Sequence, residues 1–368
     1  MRLTKYIVLF LAGFVASAAV AEFVLRLLPV SKGLYRTLRH QDWPMHGYGP
    51  QQRFSYSTTW QLLHPQRGVT NNYGQVAPFD YVPGSHPVVV VGDSFIESQM
   101  NVHADTLQGE LGRLFAGHVP VYGFGFGGNS LAEYLALARL ARTEFAPVAM
   151  VFLIIDNDVK ESWTNRLGHR YFEISAGDVR EGYLPLSGVT MAQRVRQMFG
   201  DSALYRYIQA NLGFTAARVL SKHVALVPPS DAVIAANEEK SKRAVDYFLE
   251  QLPEASDLAP AQLVLVFDSD RGRIYDPTRA PRKGVDSQAV QAYFRERAKA
   301  AGFAVVDTGA LFAEHFHRYQ RRFDYQPVDS HWNGLGHRVV AAQVHRCLAV
   351  TRTNEGNCIQ SGQGGSDR

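Results

Sequence analysis

Val88-Val-Val-Val-Gly-Asp-Ser-Phe-Ile-Glu-Ser98, VVVVGDSFIES, runs four β-branched residues straight into a glycine, an acid and a serine. A short, continuous apolar run bounded by a turn predicts a strand buried on both faces. Such strands belong to parallel sheets with helices on either side. Two readings compete for the serine that ends the run. Ser94 suits a helix N-cap, whose hydroxyl accepts from the backbone N–H groups that open a helix. It suits equally a nucleophile presented at a strand end.

The pattern around that strand decides between fold classes. A short strand is expected around Pro120-Val-Tyr122, a helix over Ser130–Ala141 with Ser130 as N-cap, and a second fully apolar strand over Val148–Ile155. The alternation breaks between 159 and 258, where Arg170–Ile174 predicts a small strand and Met191–Val224 and Asp231–Leu252 predict amphipathic helices. This stretch reads as an inserted, mostly helical subdomain or cap. Alternation resumes with the strand Gln262–Phe267, a helix over Ser287–Ala301, the strand Phe303–Asp307 and a last helix from about Gly334 to Leu348. Residues 29–85, rich in Gln, Tyr, Pro and His, read as a connecting segment with some structure. The main domain is 86–350, and 351–368 a flexible tail rich in Gly and Ser.

With 46% hydrophobic and 20% charged residues the composition is globular. The net charge of +4 is small and scattered, which argues against nucleic acid as a partner. Arg2 and Lys5 precede the uncharged run Tyr6–Val20, which extends through Leu28. Residues 1–28 fit either a signal peptide cleaved near Ala19-Val-Ala21 or an uncleaved helix long enough to span a bilayer. Both put the body outside the cytoplasm: in the periplasm, free or anchored to the inner membrane. The two cysteines, Cys347 and Cys358, are close enough in sequence for a local disulfide in an oxidising compartment, or remain two unlinked thiols.

In an open parallel sheet, ligands bind beyond the carboxyl ends of the strands. Three polar motifs follow three predicted strands: Gly92-Asp93-Ser94, Gly123–Gly128 and Asp156-Asn157-Asp158. A fourth, Asp329-Ser-His-Trp-Asn-Gly334, precedes the last helix. A serine hydroxyl needs a base to take its proton, and the base needs an acid to fix its tautomer. Ser94, His331 and Asp329 supply those three roles. The Ser94 N–H, the Gly128 N–H and the Asn157 amide are candidate donors to an oxyanion. Asp93 reads as a turn-forming residue, and Asn333 and His337 as helix or cap residues.

These four blocks resemble the SGNH (GDSL) hydrolases, over roughly 87–158 and 260–349, together with Val69-Thr-Asn-Asn-Tyr-Gly74, a segment similar to one in membrane-anchored members. The resemblance implies a three-layer α/β/α sandwich with a mostly parallel, flavodoxin-like sheet. It also implies ester hydrolysis or acyl transfer with no metal or organic cofactor. Phe95 stands where the family name has leucine, Gly123 where many members have asparagine, and Asp156 where glycine is usual. The acid and base are two residues apart, and this DxHWN form is similar to that of proteins moving acetyl groups on bacterial exopolysaccharides. The implied substrate is an acylated carbohydrate or small ester, and polysaccharide-assembly proteins are the implied partners.

Other readings stand beside it. Gly123–Gly128 formally matches a dinucleotide-binding GxGxxG with Glu144 some twenty residues on. His315, His317, Asp329, His331 and His337 could ligate a metal, although their spacing matches no specific site. Asp268, Asp270 and Arg271 follow another strand and either meet substrate or brace a loop. A non-catalytic, anchored glycan-binding or assembly protein of the same fold is the alternative function.

Overall fold

Five parallel strands form the centre of the computed structural model, which describes residues 2–39, 42, 44–175, 177–186, 199–214, 230–280 and 288–352. In chain order, α1 (Arg2–Leu27) precedes two antiparallel hairpins, β1 (Arg36–Arg39) with β2 (Met45–Tyr48) and β3 (Arg53–Thr58) with β4 (Leu63–Val69). The sheet then begins with β5 (Val88–Gly92), α2 (Ser94–Glu97), α3 (Leu107–Leu114), β6 (Val121–Gly125), α4 (Leu131–Phe145), β7 (Ala149–Ile154) and α5 (Asp158–Ser162). After these come the hairpin β8 (Arg170–Ile174) and β9 (Val179–Tyr183), α6 (Ala203–Arg206) and α7 (Asp231–Ser256). The chain continues through β10 (Leu263–Phe267), α8 (Arg271–Tyr275), α9 (Gln288–Ala300), β11 (Ala304–Asp307) and α10 (Thr308–Tyr319). A small ladder of β12 (Asp324–Tyr325) with β13 (Asp329–Trp332) leads into α11 (Gly334–Arg352).

The sheet order is β11-β10-β7-β5-β6, and every neighbour in it is parallel. Counted from its first strand this is the doubly wound order 2-1-3-4-5, with its switch point beside β5. Alternate residues of each strand feed opposite layers. Val89 and Val91 pack with α4, α7 and α9, through Leu135, Phe248 and Phe294. Val88 and Val90 pack with α3, α10 and α11, through Leu111, Phe312 and Val344. Both faces are covered, which is why these strands read as unbroken apolar runs. The fold is the three-layer α/β/α sandwich with a flavodoxin-like sheet.

Two stretches differ from the expectations. The segment 29–85 is built structure, since after its two hairpins residues 71–81 run along the open edge of β6. The Tyr81 hydroxyl donates to Gly123 O and accepts from Gly123 N, both at 2.9 Å, and Gln75 Oε1 accepts from Gly125 N at 3.0 Å. An uncovered edge would leave those groups open to another strand. Within 159–258, α7 is a layer of the sandwich and no cap. Its Ala244, Val245, Phe248 and Leu252 are fully buried in the same core as α4. The helix expected over Met191–Val224 falls largely outside the described residues; within 199–214 there is only α6 and one π-helical turn, Tyr207–Asn211. The last helix runs on to Arg352, and the expected tail beyond it lies outside the described residues.

Candidate active site

At the end of β5 the backbone turns sharply, and Asp93, not Ser94, is the N-cap of α2, its carboxylate accepting from Phe95 N at 2.9 Å. Ser94 is thus the first residue of the helix, with its side chain free for other work. Gly125 on the neighbouring strand lets α2 approach, because a Cβ there would stand 2.1 Å from Glu97 N. In sheet order β5 lies between β7 and β6. Asn157 and Gly128, which follow those strands, therefore flank Ser94 on either side at the carboxyl edge.

The acid and base come from β13. Residues two apart on a strand project from one face, so Asp329 and His331 stand side by side while Trp332 points into the core. His331 Nε2 lies 2.8 Å from Ser94 Oγ, and His331 Nδ1 lies 2.5 Å from Asp329 Oδ1. Asp329 Oδ1 also accepts the backbone N–H of His331 at 2.9 Å. With Nδ1–H donated to the carboxylate, Nε2 presents its lone pair to the serine hydroxyl. Asp93 Oδ2 is a second acceptor for that hydroxyl, at 3.1 Å. The phenol of Tyr56, from β3, donates to Asp329 Oδ2. Four side chains form one line: Ser94, His331, Asp329, Tyr56.

Asp268 and Arg271 brace this arrangement. Trp332 is fully buried and its indole N–H donates to Asp268 Oδ1 at 2.9 Å. Arg271, 2% exposed, is paired with Asp268, donates to Asp324 Oδ2 at 3.1 Å and to Ser330 O at 2.6 Å. The Asn333 side chain accepts from Leu335 N and Gly336 N and caps α11. His337 is buried, accepts from Leu107 N at 3.1 Å and is pushed down to about 3 by burial and by the nearby charges of His331 and Arg271. It is a neutral structural ring. Among the described residues no three His, Cys, Asp or Glu side chains are placed to hold a metal ion.

The glycines of 123–128 have other uses than phosphate binding. The N–H groups of Gly123, Gly125 and Gly127 are taken by Tyr81, Gln75 and Glu97, the last at 2.6 Å. Glu144 accepts from the Tyr73 hydroxyl. No row of amides remains for a pyrophosphate, so the dinucleotide reading fails. Gly127 abuts the serine, since a Cβ on it would lie 3.7 Å from Ser94 Cβ. Gly128 adopts φ +88°, in the left-handed region that favours glycine, and its carbonyl accepts from Arg166 at 2.8 Å. Neither the Gly128 N–H nor the Asn157 amide has a partner among the described residues, while Asp158 fixes the turn that carries Asn157. It is fully buried and accepts from Ile155 N and the Tyr134 hydroxyl.

The charges are arranged for base chemistry. Burial works to raise the Asp329 carboxyl, but hydrogen bonds from His331 and Tyr56 overcome it and hold the group at about 2. Burial lowers the His331 imidazole, yet Asp329 outweighs that and leaves it above its ordinary value. Burial raises Asp93 to about 6, against the opposing Phe95 N–H and the His331 charge. Burial and the adjacent carboxylate raise the Tyr56 phenol, which therefore stays protonated and remains a donor.

The structure brings Ser94, His331 and Asp329 together as the sequence groups them, and adds Tyr56, Glu97 and the Asp158–Tyr134 pair, which no motif marks. The alternation in Arg53-Phe-Ser-Tyr-Ser-Thr58 was a signal for the strand, though none for its reach across 273 positions to Asp329. Tyr56→Phe removes one donor to Asp329. The expected cost is about 3- to 10-fold in kcat, the size of about 1 kcal/mol for a lost hydrogen bond. A pH–rate profile checks it: Asp329 keeps its charge and loses a competing donor, so His331 is raised at least as far and the acid limb does not move to lower pH.

No family model and no curated protein matches this chain. Solved structures do. LAE5, an α/β hydrolase from the metagenome of Lake Arreo in Spain, is 15% identical, with 73% of this chain and 98% of that one covered and a TM-score of 0.37. A member of the lipolytic G-D-S-L family from Veillonella parvula is 11% identical, covering 70% and 94%, at 0.34. A lipase/acylhydrolase from Enterococcus faecalis is 12% identical, covering 73% and 96%, at 0.33. The chain's own coordinates define its class: a doubly wound α/β/α domain with a Ser–His–Asp constellation at the carboxyl edge of its sheet.

Proposed function

We propose that this chain is a serine esterase or O-acyltransferase of the SGNH type. The observation that carries the reading is the line from Ser94 Oγ to His331 Nε2 at 2.8 Å and from His331 Nδ1 to Asp329 at 2.5 Å. Ser94 Oγ attacks an ester carbonyl while His331 Nε2 takes its proton. Asp329 holds the resulting imidazolium. Gly128 N–H and the Asn157 amide, flanking the serine with unpaired donors, stabilise the oxyanion. Collapse expels the alcohol, which takes the proton from His331. Water or an acceptor hydroxyl, deprotonated by the same imidazole, then releases the acyl group from Ser94.

The favoured substrate is an O-acetyl group on a cell-envelope or extracellular glycan, with polysaccharide-assembly proteins as partners. That choice rests on the DxHWN form of the acid–base segment and on an extracytoplasmic address. Residues Leu3–Leu27 form a helix whose most apolar 18-residue window has mean hydropathy 2.3 and is not buried in the body, consistent with an anchor in the inner membrane or a signal sequence. Cys347 is held in a disulfide, which favours an oxidising compartment; Cys358 lies outside the described residues.

The test is steady turnover of p-nitrophenyl acetate, followed by acetate release from O-acetylated polysaccharides. Turnover in wild type that is lost in His331→Ala is the expected result. Equal inactivity of the two proteins across short acyl esters would instead favour the non-catalytic glycan-binding reading.

A further inference from the structure

The outer end of α1 is built into the body. The Glu22 carboxylate accepts from Ser202 Oγ at 2.8 Å, Ala203 N at 3.0 Å and Leu204 N at 2.8 Å, and so holds the start of α6. Arg26 closes on the same carboxylate at 2.7 Å. Five residues beyond, Ser31 N donates to Asn211 Oδ1 at 3.2 Å, and Asn211 Nδ2 donates to Ser57 Oγ at 2.9 Å in β3. The Tyr207 hydroxyl donates to Trp60 O at 2.8 Å, at the tip of the β3–β4 hairpin. The helix end, the segment 199–214 and the hairpin tip are therefore one block.

That block carries large apolar side chains that stand exposed among the described residues. Trp60 is 65% exposed and Phe214 61%, with Phe199, Ile208 and Leu212 also exposed. Glu22 stands five residues, about 7 Å at 1.5 Å per residue, from the end of α1. The polar layer on each side of a bilayer is about 5–8 Å thick. Whatever is tied to Glu22, Arg26 and Ser31 stands at the depth of that layer when α1 crosses the membrane. Tryptophan and tyrosine with a basic residue close by are the side chains that suit it.

We infer that Trp60, Phe199, Ile208, Leu212 and Phe214 form a second membrane contact, seated in the interfacial layer of the bilayer that α1 crosses. The lipid is the occupant because α1 leaves the body through this patch, so the bilayer surrounds the exit. The inference rests on the anchor reading, and it gives that anchor a fixed seat. Glu22, Arg26 and Ser31 all lie beyond Ala21, so these bonds hold the block together at the outer end of α1 whether or not the span before them is kept.

The experiment uses the full chain in phosphatidylcholine vesicles whose acyl chains are brominated either near the carbonyl or near the methyl end. The emission of Trp60 is the difference between wild type and Trp60→Phe. Shallow bromines are expected to remove most of it, deep bromines little, and aqueous iodide little. A Trp60 share that iodide quenches and neither bromine position touches would overturn the inference. Extraction of the same vesicles with alkaline carbonate separates the two ideas. A chain that resists extraction with Trp60 in water is anchored without the second contact; a chain that is stripped off has no anchor, and both readings fall.

Discussion

Ser94→Ala is expected to lower kcat for short acyl esters by about 10⁴-fold or more, the loss that follows removal of a nucleophile acting as a unit with its base. The variant also loses covalent labelling by a fluorophosphonate. Its fold should be unaffected. The cap of α2 is made by Asp93, which keeps its bond to Phe95 N, and among the described residues the serine hydroxyl bonds only His331 and Asp93. Unchanged thermal unfolding together with lost labelling would place the chemistry on Ser94 itself. Labelling that persists at the wild-type rate in Ser94→Ala would remove the serine from the mechanism.

Asp329→Asn is expected to cost about 10⁴-fold in kcat, the scale seen when a triad acid loses its charge. The amide can no longer accept the Nδ1 proton as an anion, so the imidazole loses the partner that fixes its tautomer. It also loses the interaction that raises it. In wild type the base form of His331 appears only above a value higher than the ordinary imidazole, because Asp329 favours the protonated ring. Activity should therefore rise with pH through a limb displaced upward, and in Asp329→Asn the residual activity should show that limb at lower pH. The carboxylate itself, held at about 2, stays ionised across this whole range and gives no limb of its own. A pH–kcat/KM profile of both proteins measures the two limbs. Coincident limbs would mean that Asp329 does not act on the imidazole.

Much of this site was legible because it is local. VVVV, AMVFLI and LVLVF are apolar on both faces only in a parallel sheet with two layers over it, and the polar motifs after such strands must meet at one edge. The pair Asp329 and His331 was legible through the period of a strand. What stayed hidden depends on contacts between distant parts of the chain. The choice between Asp93 and Ser94 as cap turns on one backbone angle, and adjacent polar residues compete for it. Residues 71–81 hold the sheet edge with two side chains, Tyr81 and Gln75, and otherwise lack the periodicity that marks an element. α7 has the amphipathic pattern of any surface helix, and only the fully buried Phe248 and Leu252 show which layer it completes.

The N-terminal quarter has a practical consequence for anyone preparing this protein. A chain cut to begin at the first sheet strand would look like a whole catalytic domain by its motifs. It would lack the phenol against Asp329 and the two side chains that satisfy the backbone of β6, and it would bare the outer surface of Tyr122 that Tyr81 stacks upon at 4.1 Å. Such a truncation should express as a sticky, weakly active protein. Trimming at about Pro29 instead removes the apolar helix, together with the Glu22 bonds to α6, and keeps every one of those contacts, so the useful boundary for a soluble form lies some sixty residues earlier than the motifs suggest.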